Sequence, residues 1–144
     1  MIRIICVGKI KEKYLKDAIE DYKKMISKYQ KIEIVEVLDS DINSEKDLIL
    51  KNIGKRDYVI TMEIEGNNIN SLELAQKIDK TFITNNIITF IIGGSEGLHE
   101  DVKKIANYKL SFSKMTFPHG LFRVILLEQI YRTFKILNHE TYHK

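Results

Sequence analysis

Ile87-Ile88-Thr89-Phe90-Ile91-Ile92-Gly93-Gly94-Ser95-Glu96-Gly97-Leu98-His99 decides the fold. Its first six residues are apolar or β-branched, with none of the alternation of a half-wetted strand. Such a run suits a strand buried on both faces, the pattern of a parallel sheet sandwiched by helices. Tyr108-Lys109-Leu110-Ser111-Phe112-Ser113-Lys114-Met115-Thr116-Phe117-Pro118-His119 repeats the arrangement, a short strand stopping at a loop before a helix. Ligands of open α/β sheets settle just beyond the carboxyl ends of the strands. Two such ends, close in sequence, mark the first place to look for a small-molecule site.

Working outward, Ile2–Val7 reads as a core strand ended by Gly8. Leu15, Ala18, Ile19, Tyr22, Met25, Ile26 and Tyr29 then form one stripe of an amphipathic helix over 12–29. Lys23, Lys24, Lys28 and Lys31 fall away from that stripe and read as a solvated face. A second strand covers 31–38. Ser44 and Asp47 resemble a capping box for a short helix through Ile53, and Gly54 stops it. A third strand covers 57–63 and gives way to the turn-rich Ile64-Glu65-Gly66-Asn67-Asn68. Asn70 and Glu73 open a helix whose inner face is Leu74, Ala75, Ile78 and Phe82. A short helix over 100–106 and a final one over 119–138 complete the chain. Strands alternating with helices predict a single α/β domain over 1–144, with a mostly parallel sheet flanked by helices.

The final helix carries two apolar stripes, Phe122, Ile125, Leu126, Ile130 and Leu137 beside Leu121, Val124, Leu127, Tyr131 and Phe134. It must be covered on more than one side: by the sheet and a second copy of the protein, or by the sheet and another helix of its own chain.

Composition narrows the class. The chain has 144 residues, 44% hydrophobic and 30% charged, an ordinary globular balance. No run approaches the ~18 apolar residues of a membrane helix. The net charge of +3 permits nucleic acid without establishing it. Four histidines and one cysteine without close spacing argue against a structural zinc site. Cys6, in an apolar run, reads as a core residue of a reducing cytosol.

Gly93-Gly94-Ser95-Glu96-Gly97 has the position of a nucleotide loop but not the spacing of a dinucleotide fingerprint or a P-loop. Its glycines let a ligand, or another backbone segment, approach closely. Phe112, Met115 and Phe117 among Ser111, Ser113 and Thr116 could hold an aromatic base between apolar walls. Glu63 and Glu65 share a strand face and read as solvated carboxylates. By composition, residues 138–144 read as a frayed terminus.

Together these motifs are specific. From Ile5-Cys6-Val7-Gly8-Lys9 and Lys11-Glu12-Lys13-Tyr14, through both loops, Arg123-Val124 and Glu128-Gln129-Ile130-Tyr131-Arg132, to Tyr142-His143-Lys144, the chain resembles one family. This is the bacterial ribosomal large-subunit pseudouridine N3-methyltransferases of the SPOUT class. The resemblance implies a C-terminal trefoil knot, a topology that general chain-threading rules argue against. It implies S-adenosyl-L-methionine as cofactor, with no metal, held by Met62, Gly93, Phe112, Ser113, Lys114, Met115, Thr116 and Phe117. The family's usual leucine at the first of these is Met62 here, a similar apolar filler. It implies catalytic roles for His143, Tyr142 and Arg123, with the tail crossing a dimer interface to the active site. The implied partners are a second copy and ribosomal RNA in the cytoplasm, with neither membrane nor DNA. The alternatives are a non-catalytic dimeric RNA-binding module of the same fold, or a related methyltransferase acting on another RNA.

Overall fold

The computed structural model describes residues 1–144. Five strands, β1 (Ile2–Val7), β2 (Ile32–Val37), β3 (Tyr58–Asn68), β4 (Ile88–Ile92) and β5 (Tyr108–Ser111), form one sheet. Its order is β2-β1-β4-β3-β5 and every pairing is parallel. Parallel neighbours need crossovers, which are supplied by α1 (Lys13–Ser27), α2 (Ile42–Lys51), α3 (Ser71–Thr84) and α4 (Glu100–Lys104). The last helix, α5 (His119–Leu137), follows β5. The expected α/β architecture is present, with element ends shifted by a residue or two.

All five residues of β4 are buried, as its uninterrupted apolar run required. On one face of the sheet Ile4, Cys6, Phe90, Ile60 and Leu110 pack with Ile19 and Ile26 of α1, Leu74 and Ile78 of α3, and Leu126, Leu127 and Ile130 of α5. On the other, Ile5, Val7, Val59 and Ile91 pack against Ile49 of α2 and Val102 of α4. Cys6 is a core residue, as its setting indicated; burial pushes its thiol pKa up to about 12. α5 lies against both α1 and α3. Its two apolar stripes are therefore covered largely within the chain, yet Leu121 stays 43% exposed and Tyr14, at the start of α1, 71% exposed.

Two local readings are corrected. The helix expected to begin at Ser44 begins at Ile42 and ends at Lys51, because Asp41 is its cap: its Oδ1 accepts the Ser44 N–H at 2.9 Å. A carboxylate three residues ahead outcompetes the Ser44 hydroxyl, which itself donates to Asp41 Oδ2. Residues 64–68 are not a turn but the end of β3. Leu110 aligns with both Met62 and Asn67, so residues 63–66 bow outward before the pairing resumes. The Asn67 and Asn68 amides hold the return by donating to Lys109 O (3.0 Å) and Ser111 O (2.8 Å).

The box at α3 forms as read: Asn70 Oδ1 accepts the Glu73 N–H (2.8 Å) and Glu73 Oε1 accepts the Asn70 N–H (3.1 Å). Asn70→Ala should cost about 1 kcal/mol, read as a lower urea midpoint at unchanged slope.

Candidate active site

A cleft of about 570 Å³ opens at the carboxyl ends of β3, β4 and β5. Three parallel strands end there together because β3 and β4 are neighbours and β5 joins the far side of β3. Its walls are apolar, with Met62, Leu98, Leu110 and the aromatic group Phe112, Phe117 and Phe122. The Phe122 ring centroid lies 5.5 Å from that of Phe112 and 6.0 Å from that of Phe117, so α5 braces the loop after β5. Glu63, Glu65 and Lys103 supply charge at the lining. Glu63 is held in place by the Thr61 hydroxyl, which donates to it at 2.6 Å.

The loops are locked from behind. The Ser111 hydroxyl lies 2.8 Å from Ile64 O and 3.1 Å from Ser113 O, tying the bowed part of β3 to the loop. The Met115 N–H donates to Ser113 Oγ, a local turn that presents Met115 75% exposed. At Gly93 a Cβ would stand 2.7 Å from Gly97 O, so the loop's own backbone fills that space. The loop's own backbone is thus one segment that approaches Gly93 closely. Gly97 has φ of +76° and its N–H donates to Gly94 O, closing the turn. Glu45 lies beneath Gly94, buried, accepting the Ser40 N–H; burial pushes its carboxyl pKa up.

Of the eight residues expected to hold a cofactor, Met62, Gly93, Phe112, Ser113, Met115, Thr116 and Phe117 line this cleft. Lys114 sits in the same loop, exposed, without lining it. The three expected catalytic residues stand elsewhere in the chain. Arg123, 3% exposed, donates from Nη1 to Glu36 at 2.6 Å and from Nη2 to Gly8 O at 3.3 Å, pinning α5 to β2 and the end of β1. It lines a second cavity of about 410 Å³ that meets the cleft at His119, a residue lining both.

The tail is not frayed. Tyr142 O–H donates to Glu128 Oε1 (3.1 Å), its ring meets Tyr131 edge-on at 5.0 Å, and the Arg132 guanidinium lies 4.8 Å from its centroid. Burial and the adjacent Glu128 push the Tyr142 hydroxyl pKa up to about 12. Arg132 Nη1 lies 3.1 Å from His143 Nδ1. Glu140 anchors the turn through Tyr29 and Lys135. Composition hid this because the partners lie outside the segment, on α5 and at Tyr29 just past α1. Leu98, Lys103, His119 and Phe122 also line the cleft without having been singled out from the residues; for His119, its place between the loop and the final helix was the available signal.

An apolar cleft at three parallel strand ends is where α/β proteins bind small ligands. Comparison with known proteins is more specific. Residues 1–143 match the family model described as "Predicted SPOUT methyltransferase". A protein of Methanococcus maripaludis (strain C5) is 54% identical over 99% of both chains. The ribosomal RNA large subunit methyltransferase H of Clostridium botulinum (strain Kyoto) is 52% identical over the same share of each, and the Methanococcus protein carries that name provisionally. Among solved structures, a probable methylase family protein from Haemophilus influenzae Rd KW20 shares the fold at TM-score 0.60 and 13% identity, over 99% of this chain and 70% of that one. The SpoU methyltransferase AviRb from Streptomyces viridochromogenes, in complex with the cofactor AdoMet, does so at 0.50 and 9%, over 92% and 57%. The chain belongs to the SPOUT methyltransferase family.

Proposed function

We propose that the protein transfers a methyl group from S-adenosyl-L-methionine to N3 of a pseudouridine in large-subunit ribosomal RNA, acting as a cytoplasmic homodimer on the assembled ribosome. The observation that carries this reading is the cleft itself. Seven of the eight residues expected to hold the cofactor line one cavity, in a chain alike end to end to a protein named as a ribosomal RNA large subunit methyltransferase.

The residues fit a sulfonium nucleoside. Phe112, Phe117, Leu98 and Leu110 offer flat apolar surface to a base, and Glu63 and Glu65 offer anions to a cationic ligand. Bound there, the cofactor supplies an electrophilic methyl group. The protein's task is then alignment, since displacement in line rewards fixed geometry. The N3–H of a uracil-like ring must also lose its proton as the nitrogen attacks. In this reading His143 takes that proton, Tyr142 positions the ring, and Arg123, in the adjoining cavity, stabilises its anionic form.

In this reading His143 acts from a second copy. Within the chain the tail docks at Glu128 and Arg132, whereas the cleft touches α5 at His119 and Phe122. Six residues of helix separate Phe122 from Glu128, about 9 Å of rise. Exposed Leu121 and Met115 leave apolar surface near the cleft for that copy. Ribosomes from cells lacking the gene, incubated with the protein and labelled cofactor, should gain one methyl group on a large-subunit pseudouridine, located by mass mapping. Absence of label on ribosomal RNA rejects the substrate; absence of saturable cofactor binding favours a non-catalytic RNA-binding module.

A further inference from the structure

The second cavity is unclaimed by the cofactor, and its chemistry is of a different kind. It lies beyond the carboxyl end of β1, between the segment leading into α1 and the first turn of α5. Three observations converge on it. First, α5 is a 19-residue helix capped by Pro118 with no side-chain hydrogen bond at its N-terminus. The amides of its first turn, including those of Gly120 and Leu121, are unpaired donors at the positive end of a long helix. Second, Lys9 and Lys11 stand exposed on the lining, and neither has an ion-pair partner, whereas nearby Lys13 is paired with Asp17. Third, Arg123 lines the cavity with only 3% of its surface exposed. Its Nε is the one buried side-chain nitrogen or oxygen in the molecule without a hydrogen-bond partner.

An unpaired buried donor is costly unless something supplies an acceptor. The lining therefore calls for an acceptor at Arg123 and an anion at the lysines and helix end. A nucleotide offers both, through its ring or sugar oxygens and its phosphodiester group. Tyr14, 71% exposed and also on the lining, adds a ring on which a base can stack. His119 joins this cavity to the cleft, so a nucleotide seated here would stand beside the place where the methyl group is delivered.

We infer that this cavity seats the target nucleotide of the RNA, with Lys9, Lys11 and the first turn of α5 holding its phosphodiester group. The inference rests on the proposed RNA methyl transfer and adds the substrate's place to it. The competing occupant is the C-terminal carboxylate of a second copy. It is disfavoured because the Lys144 side chain would arrive with it against two unpaired lysines. Glu12 is the one acidic residue on the lining and opposes any anion there.

The test uses the full chain and purified ribosomes, with binding measured across a range of salt. Lys9→Ala/Lys11→Ala should weaken binding about tenfold and reduce the slope of log Kd against log salt by about 0.7, the share of the one single-strand phosphate they hold. Glu12→Gln should tighten binding, a gain that damaged folding cannot produce. Lys51→Ala/Lys55→Ala, on the opposite end of the sheet's strands, should change neither quantity. Cofactor affinity and the dimer dissociation constant should match wild type in every variant. Unchanged ribosome binding and slope in Lys9→Ala/Lys11→Ala overturns the inference, as does an equal loss in the Lys51/Lys55 control. Weakened dimerisation in the Lys9/Lys11 variant overturns it too, giving the cavity to the second copy. A wild-type protein that binds cofactor but no ribosome rejects the RNA reading itself, a result separable from these.

Discussion

Removing Tyr142, His143 and Lys144 should lower methyl transfer by about 10²- to 10⁴-fold, the usual worth of a positioned acid–base group, while cofactor affinity stays within twofold. The separation follows from placement. The cofactor cleft is built from strand ends and the first turns of α5, none of which touches the tail. The tail's contacts are with Glu128, Tyr131 and Arg132, farther along α5. Glu128 and Arg132 remain paired to each other without it, so the helix keeps its ion pair. His143→Ala alone should reproduce most of the loss in kcat. Isothermal titration with the cofactor and single-turnover methylation of ribosomes check both halves. A truncated protein with near-normal turnover would remove the tail from the mechanism.

Gly93→Val should act on the other half of the site and leave the tail untouched. Its Cβ would press within 2.7 Å of Gly97 O and 2.8 Å of Gly97 C, both backbone atoms that no rotamer change can clear. Overpacking of this kind costs about 1–3 kcal/mol. Here it would be relieved by pushing the 94–97 turn away from Gly93, which distorts the cleft wall. Cofactor affinity should fall at least about thirtyfold, if some 2 kcal/mol of distortion must be reversed on binding. The sheet behind Gly93 is buried on both faces, so far-ultraviolet circular dichroism should be preserved. Wild-type cofactor affinity in this variant would show that the turn is not part of the binding wall.

The two halves of the site differed in how far residues alone revealed them. The cleft was legible because its walls follow from local pattern. An apolar run that stops at glycines marks a buried strand end, and aromatic residues after a second such run mark a lining. The Asn70/Glu73 cap was legible for the same reason, being complete within four residues. What the chain's own residues did not reveal depends on neighbours outside the segment concerned. Gly66-Asn67-Asn68 has turn composition, but β5 supplies the carbonyls that turn it into strand. Residues 138–144 are polar and short, but Tyr29, Lys135, Glu128 and Arg132 supply their partners. Arg123 resembled a site residue, and only the fold shows it buried against Glu36 with one donor left over. The family resemblance, rather than any pattern in the tail, drew attention to Tyr142 and His143.

The central claim is that one copy's cleft works with the other copy's tail, and mixing two impaired proteins, at a cofactor concentration near the wild-type Kd, tests it most directly. Protein truncated after Thr141 has an intact cleft and no tail; Gly93→Val has an intact tail and a distorted cleft. Unfolded and refolded together, or co-expressed, half the dimers would be mixed, each with one complete site. Methyl transfer should return to about a quarter of the wild-type level, given a symmetric two-site dimer. A mixture as inactive as its components, in a sample shown to contain mixed dimers, would mean that the tail serves its own chain's cleft or none, and would contradict the account.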